Sequence, residues 1–223
     1  MKIITLSLCI LCTLSSAHAL DNPTILYVGD SHSYGKLGTV IEKNLSTISP
    51  KVVMHASCGA TPSTWLGNLK YEKTVCGYWF KEGTTEERLK EHQTPKFGDE
   101  LAKYRPDVTI IQLGTNIAAG ETPENSAASI KTMMAKVSAE GSQCIWIGPP
   151  DANSKVVTRQ KLQKTNDLLI KLSKENNCQY VDSLKLTVFP EKNSEGIHYP
   201  PTLSAAWGDE VSLQLKTIIQ AFK

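Results

Sequence analysis

Short apolar runs alternate along this chain with longer segments in which apolar residues recur at every third or fourth position. The short runs have the length of buried strands, and the longer segments have the period of helices that pack through one face. An alternation of this kind predicts an α/β domain built on a parallel sheet. The strand candidates are Ile25–Val28, Val52–His55, Val108–Leu113, Ile145–Ile147 and Tyr180–Val181.

Four segments carry the helical period, and we interpret their apolar stripes as core faces. They run from Leu37 to Ile48, from Ile130 to Val137, from Leu162 to Leu172 and from Leu203 to Phe222.

The stretch from about residue 64 to residue 106 interrupts this alternation and is long for a single connection between strands. Thr84 and Glu87 have the spacing of a capping box, which predicts one helix there. The stripe of Phe97, Leu101 and Tyr104 predicts another. The stretch is too short and too poor in aliphatic residues to form its own core, so we interpret it as an insertion in one domain, over the carboxyl edge of the sheet.

The first nineteen residues have the pattern of a signal peptide. Lys2 precedes an apolar run from Ile3 to Leu14, and Ala17-His18-Ala19 fits the recognition site of a signal peptidase. The run is short for a bilayer span, so a retained membrane anchor is the weaker interpretation. We therefore expect a mature domain of residues 20–223, exported to the periplasm or the extracellular space.

The charges of the chain are nearly balanced, with 24 basic and 22 acidic residues and a formal net charge of +2. There is no basic tail or stripe, so nucleic acid is not an expected partner and charge gives no argument for membrane binding. The sequence leaves the oligomeric state open.

Four cysteines follow the signal peptide: Cys58, Cys76, Cys144 and Cys178. They lack the paired short spacing of a zinc site, so no metal is expected. In an exported protein an even number favours two disulfides, with four buried free thiols as the alternative. We expect Cys144 to pair with Cys178, because both begin predicted neighbouring strands, and Cys58 then pairs with Cys76 by elimination.

The candidate chemistry lies at the ends of these strands. Gly29-Asp30-Ser31 follows the first strand, Ser57-Cys58-Gly59 the second and Gly114-Thr115-Asn116 the third, while Glu195-Gly196-Ile197-His198 precedes the last helix. The carboxyl ends of parallel strands share one edge, where α/β folds bind their ligands. Serine is a weak nucleophile without a neighbouring base, and His198 is the candidate base.

These four pieces, in this order, resemble the blocks of the SGNH hydrolase superfamily, also called GDSL esterases. The resemblance implies that Ser31 is the nucleophile and His198 the general base. It also implies an oxyanion hole made by the N–H groups of Ser31 and Gly59 and the side-chain amide of Asn116. Glu195 stands where the family carries aspartate. We expect it to be the third member of the triad, and the alternative is a surface residue with a backbone carbonyl orienting His198.

Five further residues have a functional and a structural interpretation. Trp65 and Trp79 are possible substrate contacts, since aromatic faces stack on sugar rings, but each can instead be a packing residue. His32 can contact the substrate or tune Ser31, and the alternative is a partly buried residue that hydrogen-bonds a loop. Asp30 is too close to Ser31 to orient His198, so we expect it to fix the turn. Asp151 follows the fourth strand near the rim of the site, where a role in a turn is expected.

The fold that follows is a three-layer α/β/α sandwich of flavodoxin-like type, with five parallel strands in the order 2-1-3-4-5 and right-handed crossovers. The expected activity is hydrolysis of small acyl esters, acetyl esters in particular, on cell-wall or other polysaccharides. No cofactor is needed for this chemistry. An acyltransferase that uses the same triad and a glycan-binding protein without catalysis are the alternative hypotheses.

Overall fold

The structure is a computed structural model that describes residues 20, 22–67, 73–120, 123–190 and 195–222. The predicted signal peptide, residues 1–19, lies outside the described residues. The strands are β1 (Thr24–Gly29), β2 (Lys51–Ser57), β3 (Tyr78–Glu82), β4 (Thr85–Leu89), β5 (Val108–Gln112), β6 (Gln143–Ile147) and β7 (Gln179–Val181). The helices are α1 (Ser31–Tyr34), α2 (Lys36–Leu45), α3 (Pro62–Trp65), α4 (Phe97–Tyr104), α5 (Thr115–Gly120), α6 (Pro123–Ala139), α7 (Arg159–Glu175), α8 (Ser183–Leu186) and α9 (Pro201–Ala221).

The strands form one mostly parallel sheet in the order β4-β3-β2-β1-β5-β6-β7. Strands β2, β1, β5, β6 and β7 pair in parallel. Strands β3 and β4 add an antiparallel hairpin to the edge at β2. The sheet thus has seven strands rather than the expected five.

The hairpin also corrects the helix expected from Thr84 and Glu87. The chain instead turns at Gly83-Thr84, with Glu82 paired to Thr85 across the two-residue connection. The capping-box spacing is a local signal, whereas β3 forms because it pairs with β2, a contact that sequence spacing does not reveal. Part of the predicted insertion therefore extends the sheet.

Helices cover both faces of the sheet. Alternate residues of β1 show this: Ile25 and Tyr27 pack with α2 and α9, whereas Leu26 and Val28 pack with α4, α6 and α7. Burial on both faces explains why the parallel strands are nearly continuous apolar runs. Among the described residues, none of the helices has both the length and the apolar character needed to cross a membrane.

Two disulfides join Cys58 to Cys76 and Cys144 to Cys178, with Cα–Cα separations of 5.3 and 4.6 Å. Cys144 lies in β6 and Cys178 directly precedes its neighbour β7, as expected from the strand order. Cys58 follows β2, so the first disulfide holds the segment before β3 against the carboxyl end of β2.

Candidate active site

Ser31 begins α1 directly after β1, in a turn that Asp30 holds. Asp30 is the N-cap of this short helix, and its Oδ1 accepts a hydrogen bond from the His32 N–H at 3.0 Å. Asp30 is fully buried, and burial raises the pKa of its carboxyl to about 7, although the bond from His32 acts in the opposite direction. Its position agrees with the expected structural role in the turn.

Ser31, His198 and Glu195 form a continuous chain of hydrogen bonds. The His198 Nε2 lies 2.8 Å from the Ser31 Oγ, and its Nδ1 lies 2.5 Å from the Glu195 Oε1. That carboxylate oxygen also accepts from the His198 backbone N–H at 3.1 Å. With Nδ1–H donating to the carboxylate, Nε2 carries the lone pair that faces the serine hydroxyl. The arrangement therefore suits proton transfer from the serine to the imidazole.

The loop that carries His198 is fastened to the segment after β6. The Asn153 N–H donates to the Gly196 carbonyl at 2.8 Å. Gly196 has a φ of 75°, and a Cβ at this position would lie 2.1 Å from the Asn153 carbonyl oxygen, so only glycine fits. Ile197 packs against Ala152 and Val157. These contacts fix the backbone on which the imidazole sits.

The three expected oxyanion donors lie on the loops after β1, β2 and β5. Within the described residues, the backbone N–H groups of Ser31 and Gly59 have no hydrogen-bond acceptor. The Asn116 Nδ2 donates to the Ala60 carbonyl at 3.0 Å, which links its loop to the loop of Gly59 and leaves a second amide proton for a ligand. These groups can receive a negatively charged oxygen.

The three expected substrate contacts are buried, which corrects that interpretation. Trp65 is fully buried in the core on the side of α4 and α6, and Trp79 is 1% exposed in the core on the side of α2 and α9. His32 is 4% exposed, with its ring 5.1 Å from that of His198 and 5.3 Å from that of Trp207. Burial, and secondarily the charge of His198, lower the pKa of His32 to about 3, so its ring is neutral.

A buried polar network below the nucleophile was not predicted. The Ser33 Oγ donates to the Gln112 Oε1 at 2.6 Å and lies 2.7 Å from the Tyr27 hydroxyl. The Gln112 side chain also acts to lower the pKa of the Asp30 carboxyl, against the larger effect of burial. The available signal was a glutamine at the end of an otherwise apolar strand, since a buried amide needs partners.

Metal chemistry has no candidate ligands among the residues that the structure describes, which contain no group of three or more His, Cys, Asp or Glu side chains placed to hold an ion.

Comparison with family profiles matches residues 27–202 to the GDSL-like lipase/acylhydrolase family. This chain belongs to that family. The match agrees with the SGNH resemblance of the four sequence blocks, and the chain is accordingly a serine ester hydrolase. No curated protein sequence is similar enough to this chain to count as a match.

Solved structures of similar fold include three esterases or acylhydrolases. The lipase/acylhydrolase from Enterococcus faecalis is 17% identical, covers 87% of this chain and 96% of its own, and has a TM-score of 0.62. The aryl esterase of M. smegmatis is 16% identical over 87% and 98%, with a TM-score of 0.63. Est24, a carbohydrate acetylesterase from Sinorhizobium meliloti, is 15% identical over 87% and 99%, with a TM-score of 0.65. At these identities the similarity shows a shared fold.

Proposed function

We propose that this chain is an exported serine esterase that removes small acyl groups, acetyl in particular, from hydroxyls of a polysaccharide. Ser31 is the nucleophile and His198 is the general base and acid. Glu195 orients the imidazole and stabilises the positive charge that it acquires. The observation that supports this assignment is the unbroken set of hydrogen bonds from the serine hydroxyl to the carboxylate.

The reaction proceeds in two halves on these groups. The Ser31 Oγ bonds to the acyl carbon as its proton passes to His198 Nε2, and the carbonyl oxygen becomes negative. The N–H groups of Ser31 and Gly59 and the Asn116 amide receive that oxygen. The bond to the alcohol then breaks as His198 returns its proton to the leaving oxygen. Water attacks the acyl-serine in the same way, which releases the carboxylic acid and restores the serine.

Val75 supports the assignment of a small acyl group. A Cβ on Gly59 would lie 2.3 Å from the Val75 Cγ2, so this side chain packs directly against the glycine. Gly59 has a φ of 84°, which also favours glycine. Val75 is 80% exposed, so it presents an apolar surface beside the proposed oxyanion donor. Such a surface suits a methyl group and restricts longer chains. A structurally similar protein, Est24, is described as a carbohydrate acetylesterase.

The two disulfides support export, since they persist in oxidising compartments. We expect the mature protein to begin at Leu20. Expression of the full chain followed by N-terminal sequencing of the exported form tests this, and an N-terminus upstream of Leu20 would contradict cleavage at the proposed site.

Hydrolysis of p-nitrophenyl acetate by the wild type and by Ser31→Ala tests the proposed function. We expect the variant to lose all measurable turnover, because no other group can carry the acyl chain. Ser46→Ala is the control, since this exposed serine at the end of α2 lies outside the site and its loss leaves turnover unchanged. A fluorophosphonate probe labels the wild type and the control but not Ser31→Ala.

Two outcomes contradict the proposal: wild-type turnover in Ser31→Ala, or a wild type that neither hydrolyses the ester nor reacts with the probe. Product analysis with an acetyl donor, in the presence and absence of an oligosaccharide acceptor, separates hydrolysis from transfer. Free acetate at the same rate in both conditions supports the hydrolase, and acetylated oligosaccharide as the main product would identify an acyltransferase.

A further inference from the structure

A pocket of about 460 Å³ lies after β6, next to the loop that carries His198. Its walls include the segment 151–154, the start of α7 and the pair Val188 and Phe189. Hydrogen bonds join the pocket wall to the His198 loop on both sides of His198 in the sequence. The Asn153 N–H donates to the Gly196 carbonyl at 2.8 Å, and the Tyr199 hydroxyl donates to the Asp151 carbonyl at 2.8 Å.

The chemistry of the proposed reaction gives the two ends of an ester different directions in this site. The acyl oxygen lies among the donors of Ser31, Gly59 and Asn116, whereas the alcohol oxygen must lie next to His198, which protonates it as it leaves. In the sheet, β2 and β6 lie on opposite sides of β1. Only β5 separates β1 from β6, so their ends are about 10 Å apart, within reach of one or two sugar units. The alcohol therefore extends past His198 toward the pocket.

The lining of the pocket combines polar groups with an apolar wall. Arg159 has a side chain that is 74% exposed, and its Nε lies 3.9 Å from the Asp151 Oδ1, which is too far for a hydrogen bond. Among the described residues nothing else binds this guanidinium, so its donors remain available for a ligand. Thr158 and Asn153 add polar groups, and Val188, 79% exposed, adds an apolar surface.

Asp151 holds one wall of this pocket in place through buried hydrogen bonds. It is 5% exposed, its Oδ2 accepts from the Phe189 N–H at 3.0 Å, and its own N–H donates to the Thr187 Oγ1 at 2.8 Å. The buried carboxylate thus fixes the wall of Val188 and Phe189. Within the described residues its Oδ1 makes no hydrogen bond and has only the long approach of Arg159.

We infer that this pocket binds the alcohol part of the ester and that this alcohol is a glycosyl unit. This inference rests on the proposed function and assigns its specificity to residues outside the triad. A sugar ring carries hydroxyls around its edge and C–H groups on its faces, which matches donors from Arg159 beside the apolar surface of Val188. A fatty or aromatic alcohol would offer these polar groups no hydrogen-bond partners and would therefore gain less affinity from them.

Three variants test the inference with two kinds of substrate. Arg159→Ala removes the cation, and Val188→Trp fills the pocket from an exposed position. Lys164→Ala is the matched control, because it removes an exposed cation of the same helix that does not line the pocket. The substrates are p-nitrophenyl acetate, which has no sugar, and a panel of acetylated sugars that includes glucose pentaacetate, cellobiose octaacetate and acetylated xylo-oligosaccharides.

We expect Arg159→Ala and Val188→Trp to raise KM for at least one acetylated sugar by about tenfold, with kcat/KM for p-nitrophenyl acetate within about twofold of the wild type. Lys164→Ala changes neither value. Equal KM values for wild type and both variants across the panel would overturn the inference, as would an equal loss on both kinds of substrate.

Failure of this inference is distinct from failure of the proposed function. A wild type that cleaves p-nitrophenyl acetate but none of the acetylated sugars overturns the sugar pocket and leaves the esterase intact. A wild type that cleaves neither substrate overturns the proposed function itself.

Discussion

Glu195 stands at a position where the SGNH family carries aspartate, and its carboxylate reaches both the ring and the backbone N–H of His198. Gly196, the next residue, turns the loop between the two side chains with a φ of 75°. The side chain of Glu195 is 52% exposed, so the strength of the pair comes from close geometry rather than from a desolvated environment.

We therefore expect Glu195→Gln to lower kcat on p-nitrophenyl acetate far more than it changes KM. The amide can hold the ring but cannot balance the charge of the imidazolium, and the loss should lie between about tenfold and ten-thousandfold. Glu140→Gln, at an exposed position after α6, is the control. An unchanged kcat in Glu195→Gln would assign the orienting role to another group, in line with the alternative of a backbone carbonyl.

Two buried titratable residues next to Ser31 make opposite contributions to stability as the pH changes. The pKa of Asp30 rises from 3.8 to about 7 on folding, so its contribution is fully present below pH 3.8 and is lost as the pH rises through 7. The pKa of His32 falls from 6.5 to about 3, so its contribution is present above pH 6.5 and is lost as the pH falls through 3. In the wild type the two effects partly cancel.

Asp30→Asn and His32→Phe separate these contributions. Relative to the wild type, we expect Asp30→Asn to gain stability between pH 4 and pH 8, by at most about 4 kcal/mol, because it avoids a buried charge. His32→Phe gains relative stability in the other direction, as the pH falls from 7 to 4. Urea unfolding at each pH measures both differences, and parallel pH profiles for wild type and variants would contradict the pKa shifts.

At the scale of elements, the sequence predicted those strands best whose own residues carry a clear apolar pattern. The runs that became β1 and β6 were recognised because burial on both faces makes them continuously apolar. The hairpin of β3 and β4 was missed, since β4 is exposed along its whole length and carries Glu86, Glu87 and Arg88. Its strand conformation comes from pairing with β3, and its position at the sheet edge comes from the pairing of β3 with β2.

The residues just before Cys76 bring Val75 to the site, and this too could not be predicted from the local sequence pattern. The Val75 N–H donates to the Cys58 carbonyl at 3.2 Å, and the Cys58 N–H donates to the Gly77 carbonyl at 2.9 Å. The disulfide and these two bonds hold Val75 over Gly59.

Removal of the Val75 side chain should widen the range of acyl groups. We expect Val75→Ala to raise kcat/KM for p-nitrophenyl hexanoate relative to p-nitrophenyl acetate by about tenfold, because the loss of one apolar contact surface changes discrimination between acyl chains by about this factor. Val156→Ala is the control, since this side chain is also exposed, at 55%, but lies on the segment before α7. An unchanged chain-length preference in Val75→Ala would remove the argument for a small acyl group.

For the whole molecule, the sequence predicted which residues converge, because parallel strands place their carboxyl ends along one edge. Ser31 and His198 are 167 positions apart, and their separation of 2.8 Å depends on that topology. Burial was harder to predict: Trp65 and Trp79 were candidate sugar contacts, and both lie in the core. The pocket of Arg159 was not foreseen, since it requires the side-by-side placement of three distant segments.

The two disulfides have similar expected effects on stability but different positions relative to the site. Cys58 and Cys76 are 18 positions apart in the sequence, and Cys144 and Cys178 are 34 positions apart. Loop-closure entropy then predicts that replacing either pair by alanine lowers the free energy of unfolding by about 3 to 4 kcal/mol. Only the first pair borders Gly59 and Val75, so only its loss should also displace an oxyanion donor and the acyl wall.

Cys58→Ala/Cys76→Ala should therefore lower kcat/KM on p-nitrophenyl acetate by on the order of tenfold or more, because one misplaced oxyanion donor has an effect of this size or greater. Cys144→Ala/Cys178→Ala is the control, because its expected loss in the free energy of unfolding is similar. Activity is assayed at a temperature at which circular dichroism shows that both variants are folded. An equal loss of activity in the two variants would mean that general loosening of the domain, rather than the position of Gly59, sets the rate.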